Sequence, residues 1–155
     1  MRLGARPDEG ERRDDRSRHR RHPLRRGAEL HAHHMQLLDA GDAAGWAETF
    51  TEDGTFLPPS LPEPVRGRAA LTAGVRRSAA ELAGKGEVHR HCVLMPAVTV
   101  RSDGALTVRS YTQIIATRRD EQPRLHLMCV CEDVLVRENG VLKVRERRVT
   151  RDDRP

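Results

Sequence analysis

Cysteine, aromatic residues and long apolar runs are all scarce in this chain. Its three cysteines, Cys92, Cys129 and Cys131, are an odd number, which argues against a disulfide framework and fits a reduced compartment. No apolar run is long enough to cross a bilayer, so no membrane is expected as a partner. The front of the chain is charged and has no hydrophobic stretch of the kind a signal peptide needs, so the expected location is the cytoplasm. No Gly-rich phosphate loop, Gly-x-Ser-x-Gly elbow or dinucleotide fingerprint occurs. That leaves acid–base chemistry without a cofactor. The aromatic set is one Trp, one Tyr and two Phe, so Trp46 and Tyr111 stand out as candidate pocket-lining residues.

What is abundant is charge, a third of all residues, with a net excess of +5. That excess is concentrated in residues 1–28, which hold ten arginines and five acids and have almost no apolar periodicity. Such a segment buries too little surface to offset its ordering entropy and reads as a disordered, Arg-rich tail. Clustered arginine also neutralises phosphates, but this tail has no Tyr, Phe or Trp to stack on bases, so no nucleic-acid partner is expected. If such an arm exists, its binding should be steeply salt-dependent and vanish on deletion of residues 1–28.

From about Glu29 the pattern turns periodic. Leu30, His34, Leu37 and Leu38 fall at helical spacing, and Gly41-Asp42 breaks that helix, with Asp42 placed to cap the next. Ala43, Trp46, Ala47 and Phe50 make the apolar stripe of a short second helix. Asp53-Gly54 then turns the chain into a strand, Thr55 to Leu57, and the Pro-rich stretch 58–64 is a loop. Arg68 to Ala83 reads as a third helix. Four long strands follow, 88–101, 105–118, 125–137 and 141–150, paired by hairpins at Ser102-Asp103-Gly104 and Glu138-Asn139-Gly140. Helices first and a curled antiparallel sheet after them make an α+β arrangement of one domain.

This order resembles the nuclear-transport-factor-2-like superfamily, on Leu-Asp-Ala-Gly-Asp (38–42), Phe-Thr-Glu-Asp-Gly-Thr-Phe (50–56), Pro-Val-Arg-Gly-Arg-Ala-Ala-Leu (64–71) and the late Asn-Gly hairpin. It looks closest to the SnoaL-like branch. Arg90-His91, Arg109-Ser110-Tyr111, Val130-Cys131-Glu132-Asp133 and the ending 144–153 look like small proteins of actinomycete aromatic polyketide biosynthesis, of the actinorhodin type that acts around pyran-ring formation. The resemblance covers about residues 29–153. It implies a cone-shaped fold in which three N-terminal helices pack on a curved antiparallel sheet, a pocket for an aromatic polyketide, and a homodimer formed through the outer sheet face.

It also implies roles for residues. Dehydratase-like members keep a pocket histidine near the start of the strand that holds His91, and an acid near Asp39 that pairs with it. An imidazole suits proton shuttling near neutral pH, and a carboxylate beside it fixes its tautomer. By period-two alternation His91 shares a face with His89, Val93 and Met95. Against ketosteroid isomerase, Glu132 falls where the oxyanion-hole acid stands, and shares a face with His126, Met128 and Val130. His34 falls at the helix-borne Tyr, while Pro58 replaces the general-base Asp, so isomerisation by that route is not implied. His91 and Asp39 are therefore the candidate catalytic pair, with Tyr111, Glu132, Trp46, His34 and Met128 as candidate substrate contacts. His31-Ala32-His33-His34 is a His tract whose side chains leave a helix in different directions, and no metal site is expected from it. Two functions are consistent with this pattern. One is a dehydratase or cyclase with an open pocket lined by His91 and an acid. The other is a non-catalytic binding or dimerisation module whose cone is plugged by Trp46, Met95 and Met128.

Overall fold

The computed structural model of the protein describes residues 23–154. Three helices lie among them: α1 (Pro23–Asp39), α2 (Ala43–Glu48) and α3 (Arg68–Gly84). Six strands, β1 (Phe50–Leu57), β2 (Val65–Arg66), β3 (Glu87–Val100), β4 (Leu106–Arg118), β5 (Arg124–Glu138) and β6 (Val141–Arg151), form one curved sheet in the order β2-β1-β6-β5-β4-β3. Helix α1 starts six residues ahead of the expected Glu29, inside the segment read as tail; residues 1–22 of that segment lie outside the described residues.

The local signals act as their chemistry dictates. The α1–α2 break is closed by Asp42, whose Oδ1 accepts the Gly45 N–H at 2.9 Å and so satisfies a free donor of the first turn. The β5–β6 hairpin turns on Asn139 and Gly140, both in the left-handed region at φ 51° and 79°, as a two-residue turn between twisted strands requires.

Two expectations need correction. The sheet is mixed rather than wholly antiparallel, because β1 runs parallel to β6, with Phe50 opposite Val144 and Thr55 opposite Glu146. Asp53-Gly54 is not a turn ahead of a strand but lies within β1, where the register shifts between Phe50 and Thr55. A side chain at Gly54 would put Cβ 2.9 Å from the Phe50 Cβ, so the bulge closes only with glycine. Arg68, at the start of α3, donates from Nε and Nη2 to the Phe50 carbonyl at 3.1 and 2.7 Å, tying the helix to this bulge.

The sheet's inner face carries the core. Trp46, Phe50, Leu71, Val75, Leu106, Val108, Leu135 and Val144 pack together beneath α2 and α3. Phe50, fully buried and edge-on to Trp46 at 4.8 Å between ring centres, contributes roughly 1.5–3 kcal/mol by burial. Leu30, Leu37 and Leu38 of α1 and Val98 of β3 pack against this core. Between α1 and the edge strand β3 the inner side also carries His31, Asp39 and His91, and the candidate chemistry lies there.

Candidate active site

Helix α1 and strand β3 meet in a groove of about 270 Å³. Ala28, His31, Ala32, Met35, Gln36 and Asp39 line the helix side, one stripe at three- and four-residue spacing, and His91, Val93 and Pro96 line the strand side. Asp39, the last residue of α1, reaches across to β3. Its Oδ1 accepts a hydrogen bond from His91 Nδ1 at 2.6 Å, and its Oδ2 accepts one from the His91 backbone N–H at 3.1 Å. Both side chains are largely buried, at 17% and 12% exposure. The carboxylate holds the hydrogen on Nδ1, and the other ring nitrogen, Nε2, has no hydrogen bond to a protein atom among the described residues. The sequence pairing of His91 with Asp39 is thus present as a two-point contact.

Alternation along β3 breaks two turns of the pleat beyond His91. A register shift between Leu94 and Ala97 puts Met95 at φ 51° and 77% exposed, and Pro96 takes the inward place instead. Met95 therefore shares no face with His91, and the bulge sets the end wall of the groove.

The five expected substrate contacts separate into two groups. Tyr111, Glu132 and Met128 lie on the sheet face turned away from the helices. In β5 the buried residues are Cys129, Cys131, Asp133 and Leu135, so Glu132 points outward and is exposed, with Met128 on its side. In β4 Ser110 and Thr112 are buried, and Tyr111 stands outward under the Arg109 guanidinium at 5.4 Å. Period-two alternation separates these three from His91, so none of them faces the His91–Asp39 groove; Glu132 instead lines a second cavity of about 700 Å³ on the outer face, with Arg109, Glu146 and Arg148. His34 and Trp46 are inside but in the core. His34 Nδ1 donates to Thr49 Oγ1 at 2.5 Å, that hydroxyl donates to the Trp46 carbonyl at 2.6 Å, and the His34 and Trp46 rings lie 5.1 Å apart. Neither Met95 nor Met128 plugs the groove.

Asp133, which alternation along β5 sends inward, was not among the residues the sequence proposed for the site. Asp133 accepts both Arg147 Nη1 contacts, at 3.0 and 2.9 Å, and His31 Nε2 at 2.8 Å, with His31, Asp133 and Arg147 all at 4% exposure or less. His31 and His34, three apart, share the inward face of α1, whereas His33 is exposed. The sequence clue was available in the helix stripe: His31 falls four residues before Met35 and eight before Asp39. A search for apolar periodicity passes over it.

Burial sets the protonation of this interior. His34 is held well below the usual 6.5, first by burial and then by the nearby charge of Arg147, so it is neutral in the fold. Burial pushes the Cys129 thiol up to about 11, which leaves no thiolate for nucleophilic chemistry at neutral pH. Because folded His34 binds its proton less readily than the unfolded chain, stability is full above 6.5 and falls as pH drops below it. Glu87, held at about 2 by hydrogen bonds from His89 and Arg118, contributes its own loss only below 4.5. In the window from 6.5 to 4.5 the stability of the protein should fall, with His34 contributing up to about 1.4 kcal/mol per pH unit. Urea unfolding of His34→Leu across that window should show a flatter slope than the parent; an unchanged slope would mean that His34 is charged in the fold.

A groove between the first helix and the edge strand of a curved mixed sheet, mostly apolar but with a histidine and an acid facing across it, defines a small α+β domain with a candidate ligand pocket. Over residues 28–148 the chain matches the SnoaL-like domain and belongs to that family, of the nuclear-transport-factor-2-like type. Solved structures agree in fold. ActVI-ORFA from Streptomyces coelicolor is 34% identical over 83% of this chain and 94% of its own, with a TM-score of 0.77. Aln2 from another Streptomyces strain is 28% identical over 86% and 94%, with a TM-score of 0.78. A protein from Catenulispora acidiphila, solved in complex with S-DNPA, is 30% identical over 84% and 93%, with a TM-score of 0.72. Among curated proteins none matches the chain. No described helix is long and apolar enough to cross a membrane.

Proposed function

We propose that this protein is a cofactor-independent polyketide-tailoring enzyme, a dehydratase or cyclase, that binds an aromatic polyketide intermediate in the α1–β3 groove. The reading rests on one observation, the 2.6 Å contact of His91 Nδ1 with Asp39 on the groove wall, which leaves Nε2 free. His91 is the general base that takes a proton from the carbon beside a carbonyl, and Asp39 orients it and stabilises the imidazolium that forms. In a dehydration the β-hydroxyl then leaves as water with the proton returned by the imidazolium; in a cyclisation His91 instead takes the proton of a hydroxyl as its oxygen adds to the carbon β to the carbonyl of an enone, and the imidazolium returns that proton to the α-carbon. Similarity to ActVI-ORFA and Aln2, together with a bound small molecule in the Catenulispora relative, supports a small-molecule substrate of this class. A homodimer through the outer sheet face, where Tyr111, Met128 and Glu132 lie, is part of the same proposal.

A second reading is favoured by the size of the groove. At about 270 Å³ it lies just below the usual range for ligand sites, and Trp46 fills the interior beside it, as a non-catalytic binding or dimerisation module would have it. Expression in a host that makes an aromatic polyketide separates the two. The enzyme converts an intermediate to a product one water lighter, or to its ring-closed isomer, seen by chromatography and mass spectrometry. Asp39→Asn should slow that conversion by about 10–100-fold while the protein still folds. No new product in the presence of the folded parent protein would favour the module.

A further inference from the structure

The His91–Asp39 pair accounts for one ionisable pair in the groove, but the groove has two. His31 also lines it, and it is 2% exposed. Its Nε2 lies 2.8 Å from Asp133 Oδ2. Arg147 grips the same carboxylate through two contacts, so Asp133 is ionised and only accepts; the hydrogen between it and His31 sits on Nε2. The other ring nitrogen, Nδ1, is buried and has no hydrogen-bond partner among the described residues. A buried, unpartnered nitrogen is expensive to keep, and a buried ion pair of this kind is often no more stable than an apolar replacement. His34 Nε2 in the core is unpartnered too among the described residues, but of the two histidines only His31 lines the groove. The two pairs are built in the same way with opposite nitrogens: Asp39 ties down Nδ1 of His91, Asp133 ties down Nε2 of His31, and both rings line one groove.

We infer that His31 is a second acid–base residue of this groove, whose Nδ1 meets a hydroxyl group of the bound molecule. With its hydrogen on Nε2, His31 offers Nδ1 as an acceptor. A phenolic or enolic O–H donates to it, and when the oxygen needs its electron pair the proton passes to Nδ1. The O–H electrons stay on oxygen as an enolate or phenolate, and the imidazolium is held by Asp133. Return of the proton from Nδ1 to oxygen restores both groups, and no other reactant is consumed. The ligand is thus a hydroxylated flat molecule with its O–H turned toward α1. The inference rests on the proposal that the groove is the substrate site, yet it concerns binding and tautomer state and does not depend on turnover.

The test uses the whole chain with nitrogen-labelled histidine, the resonances assigned on the parent protein, and naphthol as the probe. Two-bond nitrogen–proton spectra read the tautomer of each ring. His31 should carry hydrogen on Nε2 with a bare Nδ1, and naphthol should move that Nδ1 resonance, in the parent and in His91→Gln alike. The methyl ether of naphthol, which has no hydroxyl to donate, should bind several-fold more weakly and leave Nδ1 unmoved. His31→Gln should lower naphthol affinity several-fold; because that variant disturbs Asp133 and Arg147, the parent spectra decide the matter. A His31 Nδ1 that does not respond to naphthol up to its solubility limit, or responds equally to the ether, overturns the inference. A response at His31 in a protein that turns over no polyketide would sustain this inference and defeat the proposed activity. A response at His91 alone would do the reverse.

Discussion

Asp133→Ala is expected to destabilise the protein by about 3–5 kcal/mol, the usual consequence of leaving one member of a buried ion pair unpaired. The pair here is Asp133 with Arg147, at 2% and 4% exposure, on adjacent strands β5 and β6 where they stand directly opposite. Removing the carboxylate leaves the guanidinium without an acceptor in a place that water does not reach, and strips His31 Nε2 of its partner as well. A surface ion pair such as Arg25 with Glu29 would be worth a small fraction of this. Urea unfolding measures the loss directly. Replacing both partners, with Asp133→Leu and Arg147→Met, should recover most of it, because no charge is then buried alone. A loss below about 1 kcal/mol for Asp133→Ala would mean that Arg147 swings out to solvent and that the pair does not hold the interior together.

His91→Ala is expected to reduce turnover of the polyketide intermediate by ~10²–10⁴-fold, the contribution of a positioned general base. The protein should stay folded, because His91 is partly exposed on an edge strand and its ring touches Asp39 rather than the apolar core. His91→Gln keeps a group that can bond Asp39 but cannot take up a proton, so it should be nearly as slow as the alanine variant. Asp39→Asn should be less impaired than either, since the imidazole remains and only its orientation and the stabilisation of its charge are weakened. An order in which Asp39→Asn is the slowest would place the base on the carboxylate.

Much of the architecture was legible because it follows from short-range chemistry. Asp42 caps, Asn139-Gly140 turns, and the apolar repeat of Leu71 and Val75 faces the sheet, all as local rules require. Features set by distant contacts were not legible. The parallel pairing of β1 with β6 joins residues some ninety positions apart, and the bulge at Met95 moves Pro96 into the groove with no turn residue to announce it. The site divides along the same line. Resemblance and residue type were enough to bring His91 to Asp39. Along β5, alternation sorted residues onto two faces without saying which looked inward, and the ketosteroid isomerase likeness pointed to Glu132. Its neighbour Asp133 is the buried acid, as a one-residue change of parity dictates. His31 was hidden for a different reason: a polar residue on the inward stripe of a helix breaks the apolar pattern by which that stripe is recognised.

The central claim is that the groove transfers protons rather than only holding a ligand. The most direct measurement compares the purified parent, Asp39→Asn and His91→Ala on the same aromatic polyketide intermediate, following the dehydrated or cyclised product by mass spectrometry. The parent should form product fastest, Asp39→Asn more slowly, and His91→Ala at least ~10²-fold more slowly than the parent, with all three binding the intermediate. Equal rates for the three folded proteins, or the same rate with no protein present, would contradict the claim and leave the groove as a binding site.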